Sequence, residues 1–173
     1  MSISTLLVVR AQTGDRAALN ELLTLLQAPL YAHIVGVLGD ETGADDVLQN
    51  VLLIIARKLG SVREPKWARA WAYRIANREA VRAARRARRY GEVELPDFPV
   101  EADQSESYLP PEAGPDLLAM LDALPPAAQA VIRLHYLDEL SLAEISEALE
   151  LPLGTVKSRL AYGLRLLRAK SWS

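Results

Sequence analysis

The twenty residues SLAEISEALELPLGTVKSRL, Ser141 to Leu160, constrain the fold more than any other stretch of this chain. Ser141-Leu142-Ala143-Glu144 has the form of a capping box. In that motif a hydroxyl and a carboxylate three residues apart each satisfy an orphan amide at a helix start. The helix so opened is expected to end near Leu149. Glu150-Leu151 then forms a turn, and Pro152 suits a first helical residue, where a missing N–H costs nothing. A short helix, a three-residue turn and a longer helix predict a helix-turn-helix.

At 100° per residue, the longer helix gathers Leu153, Val156, Leu160, Leu164 and Leu167 on one side, which is therefore assigned to the core. Thr155, Ser158, Arg159 and Tyr162 fall opposite, with Lys157 flanking the apolar stripe. The first turns of such a helix meet base edges in a major groove, where arginine forks onto guanine and hydroxyls serve base or phosphate. A solvent-exposed face on a plain helical hairpin has the same composition, and the capping box and turn favour DNA reading over it.

The rest of the chain predicts helices as well. Ala, Leu and Arg, all strong helix formers, are abundant, and β-branched runs are scarce. Four helices are expected before residue 90. The first covers Ser4 to Gln12. A second is N-capped by Asp15 and runs to Gly39, with Pro29 as a kink. A third spans about Thr42 to Leu59, with Val47, Val51, Ile54, Ile55 and Leu59 at helical spacing. A fourth begins after Pro65, with Trp67, Trp71 and Ile75 as its core stripe. Leu124-Pro125-Pro126 opens a further helix holding Val131, Leu134 and Leu137. Residues 93–115, VELPDFPVEADQSESYLPPEAGP, are acidic and rich in proline, with no amphipathic period, and read as a flexible linker. The fold class is therefore all-α: two small helical domains, residues 1–91 and 116–173, joined by the acidic linker 92–115.

A formal net charge of −2 conceals a strong segregation of charge. Between Arg57 and Arg89 only Glu64 and Glu79 oppose a long series of arginines and lysines, ending in RAARRARR. From Tyr90 to Ile132 there are acids and no Lys or Arg. A partner meets domain charge and not the total. Neutralising several phosphates gains affinity by counterion release, so the basic helix is a candidate nucleic-acid surface. Trp67 and Trp71 could stack on unpaired bases, but their spacing favours the core. In GADDVLQNVL, Asp45, Asp46 and Gln49 form an acidic exposed patch. Neighbouring carboxylates on a helix diverge by about 100° and make a poor acid–base pair. Two readings stay open on the residues alone, an acidic docking face for a basic partner and simple stabilisation of a helix N-terminus.

The chain has no cysteine, hence no disulfide or thiolate metal site, and His33 and His135 lack ligands at metal spacing. No cofactor, metal or catalytic residue is expected, because no nucleophile–base pair or phosphate loop is present. No run approaches the apolar length of a membrane span, so no membrane insertion and a cytoplasmic location are expected.

Taken in order, these pieces resemble a bacterial RNA polymerase sigma factor of the sigma-70 family, extracytoplasmic-function type. GDRAALNELL is similar to that family's opening helix, and GADDVLQNVLL to its core-polymerase-binding helix. AWAYRIA with the arginine run resembles its promoter-melting helix, and Leu124 to Arg168 its C-terminal domain. The resemblance implies that Asp45, Asp46 and Gln49 bind the β′ clamp helices of core polymerase, with the β flap as a further contact. It implies that Arg63, Lys66, Arg69, Arg74, Arg78, Arg82, Arg85 and Arg86 serve the minus-10 element. Thr155, Lys157, Ser158, Arg159 and Tyr162 would read the minus-35 element of promoter DNA, and an anti-sigma factor would regulate the protein. Arg78, Ala72, Leu52, Glu150 and Tyr162-Gly163 depart from the family pattern. Glu150 stands where the turn usually has glycine, and Gly163 implies a weakened helix. The competing expectations are an autonomous helix-turn-helix regulator, which leaves GADDVLQN unexplained, and a degenerate sigma-like protein acting only through protein contacts.

Overall fold

The computed structural model describes residues 3–39, 41–88, 120–121 and 124–171, and the predicted linker lies outside them. The chain forms two compact units. Among the described residues all regular structure is helical.

The first unit holds α1 (Thr5–Gln12), α2 (Arg16–Leu38), α3 (Ala44–Lys58) and α4 (Ala68–Arg88). Helix α1 stops because Gly14 takes a left-handed φ of 95°, open to a residue without Cβ. The amide of Asp15 then returns to the Arg10 carbonyl (3.1 Å), closing the helix as a Schellman turn. Asp15 caps α2 as expected, its Oδ1 accepting the Ala18 N–H at 3.0 Å. Its Oδ2 accepts from Arg10 Nε at 2.9 Å and Nη2 at 2.6 Å. These donors, the Ala18 amide first and Arg10 second, hold the Asp15 carboxyl below its ordinary range.

Helix α2 runs unbroken through Pro29 and packs against α1, α3 and α4. Ala18, Leu22, Leu26, Leu30 and Ile34 are buried at intervals of four, with His33 beside them. By length and hydropathy this helix could cross a membrane. That corrects the expectation that no run approaches a span; here its apolar stripe is taken up by three neighbouring helices. Helix α3 buries Ala44, Leu48, Val51 and Ile55, followed by Leu59. Val47 and Ile54, assigned to that stripe from spacing, are only half-buried.

Helix α4 corrects the tryptophan stripe. Trp67 belongs to a 3-10 turn, Pro65–Trp67, ahead of the helix, and Trp67, Trp71 and Ile75 are all half-buried. The inward face is Ala68, Ala72, Ala76 and Ala80, with Tyr73, whose ring meets His33 edge-on at 5.5 Å. A methyl stripe carries little transfer energy per residue but lets helices approach closely. Ala72, a departure from the family pattern, is fully buried in that stripe.

In the second unit α5 (Pro126–Ile132) continues into one π turn, Arg133–Leu137. The chain then passes through Glu139 at φ 55°. His135, a core-edge histidine, has its Nδ1 2.9 Å from the Leu140 carbonyl, so this nitrogen carries the proton. Leu137 is 36% exposed and does not join Val131 and Leu134 in the core, because the π turn alters the helical period at that point.

Helix α6 (Leu142–Leu149) and α7 (Leu153–Ser171) form the predicted helix-turn-helix. Both arms of the capping box are present: Ser141 Oγ accepts the Glu144 amide at 3.2 Å, and Glu144 Oε2 accepts the Ser141 amide at 2.8 Å. Glu150 occupies the left-handed position at φ 55°, and the Leu151 amide returns to the Ser146 carbonyl at 3.1 Å. This is the turn that ends α1, with glutamate where α1 has glycine. Pro152 lies just before the helix and its carbonyl accepts the Val156 amide. Val156, Leu164 and Leu167 are buried and Leu160 packs against the cluster that holds the two leucines, but Leu153 is 42% exposed. The first helical residue has no preceding turn to cover it, which corrects its assignment to the core.

Gly163 also corrects its reading as a weak point. A Cβ there would stand 2.4 Å from Ile132 Cδ1 and 3.3 Å from Ala128 Cβ. Glycine is what allows α7 to lie directly on α5, over a core of Leu121, Leu124, Ile132, Leu164 and Leu167.

Candidate protein-binding and nucleic-acid surfaces

Three surfaces carry the residues singled out in the sequence. The first is the outer face of α3. Gly43, at φ 77°, starts the helix, and Asp45 and Asp46 follow in its first turn. Asp45, Asp46 and Gln49 are all exposed, so the helix turns an acidic end outward, and the positive pole of its dipole stabilises the two carboxylates placed there. Their field extends sideways: partial burial, then Asp45 and Glu41, push the Tyr31 hydroxyl above its ordinary range. Leu53, missed from the sequence, is 50% exposed and lies one turn beyond Gln49 on the same face. An apolar side chain amid polar ones is a common centre for a protein contact.

The second surface is the connection from α3 to α4 with the helix that follows. Leu59 and Val62 are buried and anchor it, and Gly60, Ser61, Arg63, Glu64 and Lys66 are exposed. Ser61 Oγ donates to the Lys58 carbonyl at 2.7 Å and the Trp67 amide to the Glu64 carbonyl at 2.9 Å. The connection is thus two tight turns and not a slack loop. On α4, Arg78, Arg82, Arg85 and Arg86 are exposed, and Arg69 and Arg74 half-buried. Glu79, the acid within this series, accepts from Arg82 at 2.6 Å and from Asn50 of α3 at 3.1 Å. It ties the basic helix to the acidic one, a role sequence spacing does not reveal.

The third surface is the start of α7. Lys157 and Tyr162 are exposed, and Thr155, Ser158 and Arg159 half-buried. The Ser158 hydroxyl donates to the Thr155 carbonyl at 3.0 Å, leaving its lone pairs to accept. The Arg165 guanidinium lies 5.4 Å from the Tyr162 ring centroid, a cation–π distance. Arginine thus stands beside the tyrosine that replaces a basic residue of the family pattern.

Fold and surfaces together define an all-helical protein of the helix-turn-helix class, whose first unit also carries adjoining acidic and basic helices. Residues 22–90 match the family described as Sigma-70 region 2, and residues 116–167 match Sigma-70, region 4. The chain is 32% identical over 166 residues to the ECF RNA polymerase sigma factor SigL of Mycobacterium tuberculosis, covering 91% of each. It is 31% identical over 164 residues to the ECF RNA polymerase sigma factor SigE of Mycolicibacterium smegmatis, covering 90% of this chain and 63% of that one. Among solved structures, the sigma factor RpoE of Bartonella quintana, in complex with the anti-sigma factor NepR, has the same fold. Its TM-score is 0.67 at 20% identity, covering 87% of this chain and 94% of that chain. The chain belongs to the sigma-70 family of RNA polymerase sigma factors, in its ECF group.

Proposed function

We propose that the protein confers promoter recognition on bacterial core RNA polymerase in the cytoplasm, contributing recognition while the polymerase performs the chemistry. Residues 1–91 act as the core-binding and minus-10 domain, residues 116–173 as the minus-35 domain, and residues 92–115 join them. Asp45, Asp46 and Gln49, with Leu53, engage the β′ clamp helices. Arg63, Lys66, Arg69, Arg74, Arg78, Arg82, Arg85 and Arg86 hold the phosphates around the minus-10 element. Trp67 and Trp71, half-buried beside these cations, offer ring faces to unpaired bases. Thr155, Lys157, Ser158, Arg159 and Tyr162 face the minus-35 element. An anti-sigma protein is the expected regulator, as the solved relative was captured with one.

The carrying observation is that α3 and α4 turn opposite charge outward from one small unit, one helix for a protein and the next for DNA. An autonomous regulator has no use for the first. The test is transcription in vitro, with core polymerase, the purified protein and a genomic fragment library, mapping 5′ ends. A shared pair of upstream motifs supports the proposal, and absence of transcripts defeats it. In the same assay Asp46→Ala with Gln49→Ala should weaken core binding by roughly tenfold or more, the scale of one charge-assisted hydrogen bond. Stability should fall by no more than the ~0.3–1 kcal/mol that an exposed first-turn carboxylate contributes through the helix dipole, too little to explain a lost core contact.

A further inference from the structure

The minus-10 connection is held by a residue outside it. Gln12, the last residue of α1, is half-buried, and its Nε2 donates to two carbonyls: Leu59 at 3.0 Å and Val62 at 2.8 Å. These carbonyls flank Gly60 and Ser61, the exposed tip of the first turn after α3. Val62 N–H bonds back to the Leu59 carbonyl at 3.1 Å, so one amide nitrogen grips both ends of a closed turn. The Leu59 carbonyl, already closed by the Val62 N–H, thus takes a second donor from Gln12, 47 residues away. The grip is itself fixed in direction. Immediately after Gln12 the chain is locked by the left-handed Gly14 and by the Arg10–Asp15 pair.

We infer that Gln12 is a positioning residue for capture of the unpaired minus-10 strand. Its carboxamide holds the turn between Leu59 and Val62 in the geometry that presents Gly60, Ser61 and Arg63 to an extruded base. Without the two bonds, the tip keeps its apolar anchors, Leu59 and Val62, but loses its fixed pose. A pre-formed pose lowers the ordering cost of binding. This inference rests on the proposed minus-10 role of the connection, and Gln12 itself touches no DNA.

The experiment uses holoenzyme assembled from core polymerase and the full-length protein, on a promoter found by the transcription assay. Three quantities are read: affinity for core, retention of a pre-opened promoter bubble, and the rate of opening of duplex promoter. Gln12→Ala should leave core affinity unchanged and lower retention of the pre-opened bubble roughly tenfold, the scale expected for losing one to two hydrogen bonds. Gln12→Glu, of equal size, turns two donors into acceptors facing carbonyls and should lower it further. Val8→Ala cuts a fully buried side chain one turn before Gln12 and removes neither of its two hydrogen bonds, and serves as the stability control.

A bubble defect in both Gln12 variants with normal retention by Val8→Ala supports the inference. Equal loss in Val8→Ala and Gln12→Ala, or normal bubble retention by Gln12→Ala, overturns it by reducing Gln12 to a structural bond. If wild-type holoenzyme opens no promoter, the functional proposal fails instead, and the two failures are told apart by the wild-type lane.

Discussion

At the scale of single residues, two positions reverse what composition suggests. Glycine within a helix normally costs about 1 kcal/mol against alanine, so Gly163→Ala would ordinarily stabilise. Here the new methyl would collide with Ile132, a side chain only 2% exposed with little room to move. Gly163→Ala is therefore expected to destabilise by about 1–3 kcal/mol, as for overpacked cores. Adding Ile132→Val, which removes Cδ1, should recover part of that loss in urea denaturation and give a non-additive cycle. At Glu150 the strain is in the backbone. A left-handed φ costs residues with Cβ about 1–2 kcal/mol, and β-branched residues suffer most. Glu150→Val should be less stable than Glu150→Gly by about that amount; both lack the carboxylate, so the difference isolates the backbone.

At the scale of elements, the α1–α2 corner predicts a pH dependence. The Asp15 carboxyl titrates below its ordinary value of 3.8, so the folded state binds its proton more weakly than the unfolded state does. Its contribution is complete above that unfolded value and is lost as pH falls through the lower folded one. The stability gap between wild type and Asp15→Ala should thus be constant from pH 7 to about 5 and narrow below 3.8, measured by urea denaturation. On α4, replacing Arg85 and Arg86 by alanine should reduce the salt slope of holoenzyme–promoter binding by about 0.9 for each phosphate no longer neutralised. These elements also mark what the sequence makes legible. The Asp15 cap, the Ser141–Glu144 box and the α6–α7 turn are readable because each is closed by residues within a few positions. The inward face of α4 is not: Trp67, Trp71 and Ile75 match a helical period and outweigh Ala68, Ala72, Ala76 and Ala80, which score as neutral. Gly163 and Gln12 are opaque for a different reason, since their partners stand some thirty to fifty residues away.

At the scale of the whole molecule, an acidic sum with pI near 5.8 coexists with a basic helix. Free protein should therefore hold promoter DNA poorly, and adding core polymerase should raise retention by about two orders of magnitude or more, as linked binding modules do. A gel-shift titration with and without core checks this. The three candidate surfaces are visible in outline from charge and motif, whereas their supports, Glu79 and the alanine stripe, belong to packing. That stripe carries a consequence of its own. Packed helices stand about 8–10 Å apart according to the side chains between them, and at four positions of the inward face of α4 the spacer is a single methyl group, with Tyr73 the large side chain on that face. The arginine row is thus mounted on a shim of least thickness. Enlarging Ala76, which is fully buried, would lift the row off its seat, so the position of the exposed arginines is set by residues on the opposite, hidden side of their own helix.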